Sequence, residues 1–491
     1  MGRNPSRRAE TYGNQRRTKG AIFVTTSGIS RWVSGAALAS VLVASFAGSS
    51  VALAGAPEKW DPSGGRAVAH HQDGKIIRSK GVTRRAPEAD LYNIGYDAVE
   101  PTLGITKKGV VFYTAAGTRN EVLRSSNNGK SWKVVSPQLG GQNVHAISLD
   151  PYVWVDRDTS RVFTIDLTVA CSLMSFSDDL GKSWTTNPLA CGRPVNDHQT
   201  LFGGPPVSSP TVGYDNLVYY CWNDVATSSC GKSIDGGITW RATGSPAFHA
   251  GDGTEGQGTP DDCGGLHGHG VVGRDGTVYL PKEHCLRPFV AISKDEGQTW
   301  ERVRVSKQGV IWGPDPSVAV DDKGNIYYLF ISKGRLPYLV YSRNGGKSWS
   351  KPLMVGAPGL GETALATLDV GAPGKVAIAY YGTDDVKGKV EKRTYDEKTR
   401  WHGYLTMSAD VFSKEPVFYS GTVNNPTDAL AMRECGPRRC YDALDFIDVV
   451  VAPDGTPWTS MTDNCIVVCG GGAALHPNGI VGRFVGGPSL R

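Results

Sequence analysis

The chain has 491 residues, of which 52 are Lys or Arg and 47 are Asp or Glu, and its formal net charge is +5. Residues 1–54 carry seven of the basic side chains and one acidic one, which leaves 45 basic and 46 acidic residues in 55–491. A body with a net charge of −1 is not a general nucleic-acid binder, because such proteins need a clustered positive field to neutralise phosphates. The 62 glycines, 29 prolines and 12 tryptophans favour an all-β chain with many turns.

Residues 1–54 have the layout of a secretory signal peptide. A basic stretch ends at Arg31, residues 36–54 are small and apolar, and the segment closes with Ala-Leu-Ala. We therefore expect cleavage after Ala54 and a secreted, extracellular protein. Arginine pairs in the basic stretch leave twin-arginine export open beside the general route. An uncleaved anchor is the other alternative, because the apolar stretch is just long enough to span a membrane.

An eight-residue pattern, Ser-x-Asp/Asn-x-Gly-x-Ser/Thr-Trp, occurs five times at intervals of 49 to 60 residues, at 125–132, 177–184, 233–240, 293–300 and 342–349. Each copy has turn chemistry, since the Asp or Asn side chain caps backbone amides and the Gly supplies a positive φ. The Trp is suited to filling the space between sheets. These segments predict a repeated structural turn.

A second repeat, a turn followed by strand-forming residues, precedes each copy by 16 to 18 residues and occurs twice more near 374 and 455. Residues 408–410 resemble a decayed copy of the first pattern. Seven units of about 50 residues predict an all-β fold, a single β-propeller of seven blades over 95–491, with six blades as the alternative. The last unit lacks room for its strands, so we expect part of the 55–94 extension, around 82–92, to complete the last blade.

All ten cysteines follow residue 54, and their even number is typical of an exported, disulfide-bonded protein. The spacing of the first six predicts local disulfides 171–191, 221–230 and 263–285. Three pairings remain open for Cys435, Cys440, Cys465 and Cys469. A zinc site built from these last four cysteines is the alternative, although neither short pair has Cys-x-x-Cys spacing.

The eight-residue pattern is the Asp-box, and the chain resembles the bacterial sialidase-like (BNR-repeat) proteins over roughly residues 95–485. The resemblance implies a propeller whose Asp-boxes lie away from the active face. It also implies a Tyr–Glu nucleophile pair, an Asp acid/base and three arginines that bind the substrate carboxylate, since guanidinium groups recognise carboxylates through two hydrogen bonds. This sequence has no Arg-Ile-Pro motif near the first strand, and its arginines do not follow the family spacing. Glycan activity is therefore predicted without assigning sialic acid as the sugar.

In a propeller the innermost strand of every blade begins at the same face. Counting back from each turn repeat places an ionisable residue at each of these starts: Glu100, Asp150, His198, His267 to His269, Asp315, Glu362 and Asp445. Hydrolysis of a glycoside needs two carboxyl groups, one of them protonated. We predict Glu100, Glu362 and Asp445 as catalytic carboxylates, Asp197–His198 as a base dyad and Tyr441 as a further candidate nucleophile. The candidate substrate-binding residues are His267, His269, Asp315, Arg335, Arg433 and Arg438.

No cofactor is required by this prediction, but a metal ion is possible. His267 and His269 alternate on one strand and share a face, so they are candidate metal ligands together with His198 and Asp197. The acidic loop 252–262 offers oxygen ligands for Ca²⁺. The predicted function is a secreted, monomeric sialidase-like glycoside hydrolase with a glycan or glycoconjugate as its partner. A non-catalytic carbohydrate- or protein-binding propeller and a polysaccharide lyase are the two alternatives.

Overall fold

The computed structural model describes residues 66–77, 85–117, 120–144, 149–167, 171–189, 196–224, 227–249, 265–311, 315–390, Arg393, Tyr395, 399–430, Met432, 443–463 and 477–491. The described part is built from β-strands and turns and contains no α-helix, so it offers no helical segment that could cross a membrane. The predicted signal peptide 1–54 lies outside it.

Two strands precede the first blade: β1 (Val68–His70) and β2 (Glu88–Asp97). Blade one comprises β3 (Leu103–Ile105), β4 (Val111–Ala115), β5 (Glu121–Ser125) and β6 (Lys133–Val134). A separate hairpin follows, made of β7 (Gln138–Leu139) and β8 (Gln142–Asn143). Blade two comprises β9 (Leu149–Val155), β10 (Val162–Leu167), β11 (Ser172–Ser177) and β12 (Thr185–Leu189).

Blade three comprises β13 (Asp197–Gly204), β14 (Leu217–Asn223), β15 (Thr227–Ser233) and β16 (Arg241–Ala242), with β17 (Phe248–His249) also paired to β15. Blade four comprises β18 (Val271–Val272), β19 (Val278–His284), β20 (Arg287–Ser293) and β21 (Glu301–Arg304). Blade five comprises β22 (Ser317–Val320), β23 (Ile326–Ile331), β24 (Pro337–Ser342) and β25 (Leu353–Met354).

Blade six comprises β26 (Glu362–Val370), β27 (Val376–Thr383), β28 (His402–Ser408) and β29 (Phe418–Thr422), and β1 adds a fifth strand at its outer edge. Blade seven comprises β30 (Asp448–Val451), β31 (Pro457–Asp463) and β32 (Asn478–Val485). Its fourth strand is β2, which pairs antiparallel with β32 from Glu88 opposite Val485 to Asp97 opposite Asn478. The prediction of seven blades is confirmed, and the six-bladed alternative is wrong.

Central strands of the blades are buried on both faces because each blade is packed between two others. All six residues of β23 and all seven of β19 are buried. In sequence β23 is a continuous apolar and aromatic run, whereas β19 begins with such residues and ends with buried Lys282, Glu283 and His284. The turn repeat that precedes each of these strands in the sequence forms the hairpin loop between the innermost strand and the second strand of the blade.

Neighbouring innermost strands are joined by a side chain of one blade that accepts a hydrogen bond from a backbone N–H of the next. Five such links measure 2.7 to 3.1 Å: Thr102 to Val153, Asp150 to His198, Ser317 to Leu368, Asp369 to Val451, and Asp448 to Leu103. A backbone N–H buried in the ring needs such a partner, because it has no neighbouring strand on that side. These links explain why polar residues occur on the innermost strands.

The five eight-residue segments each connect the third strand of a blade to the fourth, at the end of the ring where the innermost strands finish. In each, the first Ser Oγ accepts a hydrogen bond of 2.8 to 2.9 Å from the backbone N–H of the Gly four residues later. The Asp or Asn side chain accepts one from the backbone N–H of the seventh residue. The structure thus assigns these segments a role in the turn itself.

The predicted disulfide between Cys221 and Cys230 is confirmed, and it joins directly opposed residues of β14 and β15. Cys171 and Cys285 are also disulfide-bonded. Their predicted partners Cys191 and Cys263 lie outside the described residues, as do Cys435, Cys440, Cys465 and Cys469.

Candidate functional site

The innermost strands surround a central channel of about 250 Å³. The end at which these strands begin is called the top face here, and the opposite end the bottom face. Every predicted ring residue that the structure describes lies at or just before the start of an innermost strand: Glu100, Asp150, His198, His267, His269, Asp315, Glu362 and Asp445. The position of the ring was therefore predicted correctly, and the contacts of each residue decide its role.

Three consecutive blades begin with the same unusual backbone conformation. Glu100, Asp150 and His198 have φ of 49°, 48° and 54°, in the left-handed region that side-chain-bearing residues seldom adopt. A strained conformation persists only where the surrounding contacts determine it. Because this conformation recurs at equivalent positions, it indicates that the chain makes the same turn at the start of the innermost strand in each of the three blades.

Contacts across the blade boundaries explain two of the predicted carboxyl groups. Glu100 is 1% exposed, and its Oε1 accepts a hydrogen bond of 3.0 Å from the backbone N–H of Asp445 in blade seven. Asp150 Oδ2 accepts one of 3.1 Å from the backbone N–H of His198 in blade three. Both carboxyl groups thus link a blade to its neighbour. This structural role differs from the catalytic role predicted for Glu100.

The imidazole of His198 lies between two blades and is 1% exposed. Its Nε2 lies 2.6 Å from Asp315 Oδ2, and its Nδ1 donates a hydrogen bond of 3.0 Å to the carbonyl of His267, which can only accept. The predicted dyad of His198 with Asp197 is therefore replaced by one with Asp315. The sequence pattern does not reveal that His198 has a φ of 54°, at a corner where the pairing of β13 with β14 shifts between Asp197 and Thr200.

Electrostatics set the charge of this buried pair. Burial disfavours the imidazolium, but the carboxylates of Asp315, Asp150 and Asp445 outweigh burial and raise the pKa of His198 to about 10. Burial, with the nearby Asp197, raises the pKa of Asp150 to about 7, although His198 opposes the shift. His198 is therefore a cation at neutral pH and a poor general base.

The two predicted metal-binding histidines have different contacts in the structure. His267 is fully buried, and its Nδ1 donates to the carbonyl of Gly268 at 2.9 Å. His269 packs against Tyr152 and Phe446, with ring centroids 4.6 and 5.4 Å apart. In the described part of the chain no group of three or more His, Cys, Asp or Glu side chains could hold a metal ion. The acidic loop 252–262 lies outside that part, so the prediction of Ca²⁺ there stays a prediction.

A second cluster of charged groups, here called the blade-six cluster, surrounds Glu362 at the start of β26. Arg335 donates a hydrogen bond of 2.8 Å to Glu362 Oε1, and Arg393 lies 3.5 Å from Oε2. The phenol of Tyr395 also donates to Glu362 Oε2. Burial and the adjacent carboxylate raise the pKa of Tyr395. Glu362 thus binds side chains from two loops.

A pair of carboxyl groups, Asp428 and Asp463, is connected to the blade-six cluster through intervening residues. The ring of Tyr395 lies 5.2 Å from that of Trp401, which exchanges backbone hydrogen bonds with Leu430. Two residues before Leu430, Asp428 interacts with Asp463 at the end of β31. Burial first, and then the Asp428 charge, raises the pKa of Asp463 to about 7. A carboxyl group with that pKa is suited to general acid catalysis near neutral pH.

Sequence reasoning missed Arg393, Tyr395, Asp428 and Asp463, while predicting Glu362 and Arg335. The missed residues lie in loops or at the far end of a second strand, so no repeat marks them. The length of the connection between β27 and β28 was an available signal, because the corresponding connections in blades one to five have at most five residues. Tyr441, Arg433 and Arg438 lie outside the described residues. Asp445 remains at the top face beside Glu100.

Solved structures with a similar fold include two sialidases and a lectin. A Hadza microbial sialidase is 18% identical, with 63% of this chain and 68% of that chain covered and a TM-score of 0.40. The intramolecular trans-sialidase from Ruminococcus gnavus is 14% identical, with 80% and 95% covered and a TM-score of 0.38. The six-bladed fucose lectin of Aleuria aurantia is 11% identical, with 68% and 98% covered and a TM-score of 0.40.

No family model and no curated protein sequence matches the chain. Similarity to the solved structures at these identities and TM-scores concerns the propeller architecture alone. What the chain does has to be argued from its own residues.

Proposed function

We propose that the chain is a glycoside hydrolase of extracellular glycans, with its reaction centre at the top face of blades five to seven. The observation that carries the proposal is the hydrogen bond from the Tyr395 phenol to the Glu362 carboxylate, with Arg335 and Arg393 on the same carboxylate. A phenol paired with a carboxylate is a nucleophile with its base already in contact.

In the proposed reaction the Tyr395 oxygen attacks the anomeric carbon as the bond to the leaving group breaks. The phenol proton passes to Glu362, so that charge does not accumulate on the nucleophile. Asp463 gives its proton to the leaving-group oxygen, which suits a carboxyl group whose pKa is about 7. Water then attacks the anomeric carbon and Asp463 takes a proton from that water. As the glycosyl–tyrosine bond breaks, the Tyr395 oxygen takes back its proton from Glu362, which restores the starting state.

Arg335 and Arg393 have two roles in this proposal. Their first role is to balance the charge of Glu362. Their second role is to recognise the substrate, and the side chain of Arg393, which is 14% exposed, lies nearer to the solvent than that of Arg335. Guanidinium groups recognise carboxylates and neighbouring hydroxyls of sugars through paired hydrogen bonds. The cluster has two positive charges and one negative charge, so an acidic sugar is the favoured substrate class.

The lyase alternative is disfavoured by the charge of His198. A lyase needs a neutral imidazole or a phenolate to remove the proton beside a uronate carboxylate. Three carboxylates raise the pKa of His198 to about 10, so its imidazole is protonated at neutral pH.

The test is a turnover assay with fluorogenic sialosides and neutral glycosides, and with uronate polymers followed by absorbance of the unsaturated product. We expect hydrolysis of an acidic glycoside, a loss of kcat of about 10²- to 10⁴-fold in Asp463→Asn, and at least as large a loss in Tyr395→Phe. The matched control is Tyr327→Phe, because Tyr327 is also buried and also donates to a carboxylate, Asp321, but at the bottom face.

Three outcomes oppose the proposal. Full activity of Tyr395→Phe would exclude the phenol as nucleophile. Absence of turnover on every substrate, with retained glycan binding, would favour the non-catalytic binding propeller. Formation of an unsaturated product from a uronate polymer would favour the lyase.

A further inference from the structure

Strand β1 is a short strand on the outer edge of blade six, and Ala69 within it belongs to a buried apolar cluster. It pairs with β29 over three residues only, from Val68 opposite Ser420 to His70 opposite Phe418. A strand this short contributes little backbone hydrogen bonding, so its side chains decide how firmly it is attached. His70 is the most buried of the three, with 0% exposure.

The contacts of His70 fix which ring nitrogen carries the proton. Nδ1 lies 2.9 Å from the carbonyl of His71, and a carbonyl can only accept. Nδ1 is therefore the protonated nitrogen of the neutral ring. Nε2 lies 2.7 Å from Ser420 Oγ and must then be the acceptor. The ring also stacks on Phe418, with centroids 5.9 Å apart.

Nε2 of His70 is the end of a buried chain of hydrogen bonds that crosses blade six. The backbone N–H of Ala357 donates to the Tyr380 oxygen at 2.8 Å, which leaves the Tyr380 hydroxyl to donate to Thr406 Oγ1, also at 2.8 Å. Thr406 Oγ1 lies 2.6 Å from Ser420 Oγ. Each hydroxyl accepts one hydrogen bond and donates the next. The chain therefore has one direction, and the neutral His70 ring is its final acceptor.

Protonation of His70 would break this arrangement. A hydrogen on Nε2 would point at Ser420 Oγ, which already accepts from Thr406, and the Ser420 proton would lose its acceptor. A buried polar group left without a hydrogen-bond partner destabilises the docked strand. The buried imidazolium would add to that destabilisation, because the groups that face it from blade six are the Ser420 hydroxyl and the Phe418 ring.

From this geometry we infer that His70 makes β1 an acid-releasable strand, which leaves the edge of β29 when the ring is protonated at Nε2. The charged groups near the ring belong to its own segment: His71 opposes the protonated form, and Asp73, which is paired with Lys75, favours it. Among the described residues of blade six, no charged group acts on the ring strongly enough to be resolved.

The direction of the pH dependence follows from the burial of the ring. Burial lowers the pKa of His70, the hydrogen bond to His71 opposes that shift in part, and the net result is a lowered value. A histidine with a lowered pKa in the docked state stabilises docking at high pH. That stabilisation is lost as the pH falls below about 6.5, the value of a free histidine.

The test is hydrogen–deuterium exchange of the segment 66–77 in the whole chain at about pH 5 and about pH 8, corrected for the intrinsic rate. We expect protection at the higher pH and a loss of at least tenfold at the lower pH. His70→Gln keeps an acceptor for Ser420 but does not titrate, so its protection should not depend on pH. His71→Gln is the matched control and should behave as the wild type.

Wild-type protection that is unchanged at about pH 5, or equal acid loss in His70→Gln and wild type, would overturn the inference. If His70→Gln is unprotected from exchange at both pH values, the inference is tested instead by nitrogen NMR, which measures the protonated ring nitrogen and the pKa of His70 in the wild type. We then expect the Nδ1–H form of His70 and a pKa of His70 below that of a free histidine. A pKa of His70 at or above that of a free histidine would equally overturn the inference.

Discussion

The residues around His198 and the blade-six cluster occupy the same end of the propeller but are organised differently. Near His198, the Asp150 carboxyl accepts a hydrogen bond from the backbone of the next blade, as the carboxyl of Glu100 does near the ring closure. In the blade-six cluster, Glu362 is bound by Arg335, Arg393 and Tyr395, all through side chains. The same structural position can therefore hold a carboxyl group that accepts from the backbone of the next blade or one that binds side chains from loops. The partner of the carboxyl group distinguishes the two cases.

The largest expected effect is that of removing the Glu362 carboxylate. Glu362→Ala leaves two buried guanidinium groups without a counter-charge, so we expect a loss of about 3–5 kcal/mol in the free energy of unfolding together with loss of activity. Urea unfolding and the glycoside assay measure the two effects. Glu296→Ala is the control, because Glu296 is equally buried and pairs with Lys232 at 2.7 Å, but lies in a bottom-face turn. Activity that survives in Glu362→Ala would show that the Glu362 carboxylate, like those near His198, has only a structural role.

Removal of the Asp150 carboxyl should affect stability alone. Asp150→Ala leaves the buried backbone N–H of His198 without its acceptor, at a cost of about 1–3 kcal/mol. Asp150→Asn keeps an acceptor oxygen and resembles the protonated acid, so we expect a smaller loss. The measurement is urea unfolding, combined with kcat per folded molecule. A fall in kcat of the Asn variant, without a fall in stability, would give Asp150 a catalytic role.

The carboxyl group that joins blade seven to blade one predicts a pH dependence. Burial raises the pKa of Asp448 to about 7, well above that of a free aspartate. A carboxyl group with a raised pKa stabilises the fold fully at pH values below the unfolded pKa, and that stabilisation is lost as the pH rises through about 7. Because Asp448 lines the channel and is partly exposed, we expect about 1–2 kcal/mol. The check is the difference in unfolding free energy between wild type and Asp448→Asn at several pH values, which should narrow or change sign as the pH rises. A constant difference would contradict it.

The smallest effect concerns the bottom-face turns. Ser233→Ala removes the acceptor of the 2.8 Å hydrogen bond from Gly237, and the net loss should be about 1 kcal/mol. Thermal unfolding measures it, and kcat should stay unchanged because the turn is at the opposite end from the candidate site. A change in kcat without unfolding would show that this end takes part in activity.

The fold was predictable because its signals are local and repeated. Each eight-residue segment has turn chemistry of its own, for example Ser177, Asp179 and Gly181 in blade two, and the second turn repeat precedes the buried second strand of each blade. The top-face positions followed by counting back from those turns. Counting along the chain locates both Glu362 and Asp150 but does not distinguish their roles, because it uses chain position and not contacts.

The roles of the top-face residues were not predictable in this way. Whether His198 pairs with Asp197 or Asp315 depends on which blades meet across the ring, and the residues concerned are more than a hundred positions apart. Tyr395 and Arg393 are placed by an irregular loop with no periodic pattern. Non-local contacts from irregular segments leave no signature in a single sequence.

Blade seven takes its first three strands from the end of the described chain and its fourth, β2, from the beginning. Nearly four hundred residues separate Asp90 from Arg483, which form an ion pair of 2.9 Å across this join. Closing so long a loop is entropically unfavourable, and pairing at such separation is slow. The ring should therefore close last during folding, and until then the edge of β32 is open to strands from other chains. We therefore expect the yield of refolding to depend more strongly on the concentration of chains whose ring is still open than on the stability of the folded protein.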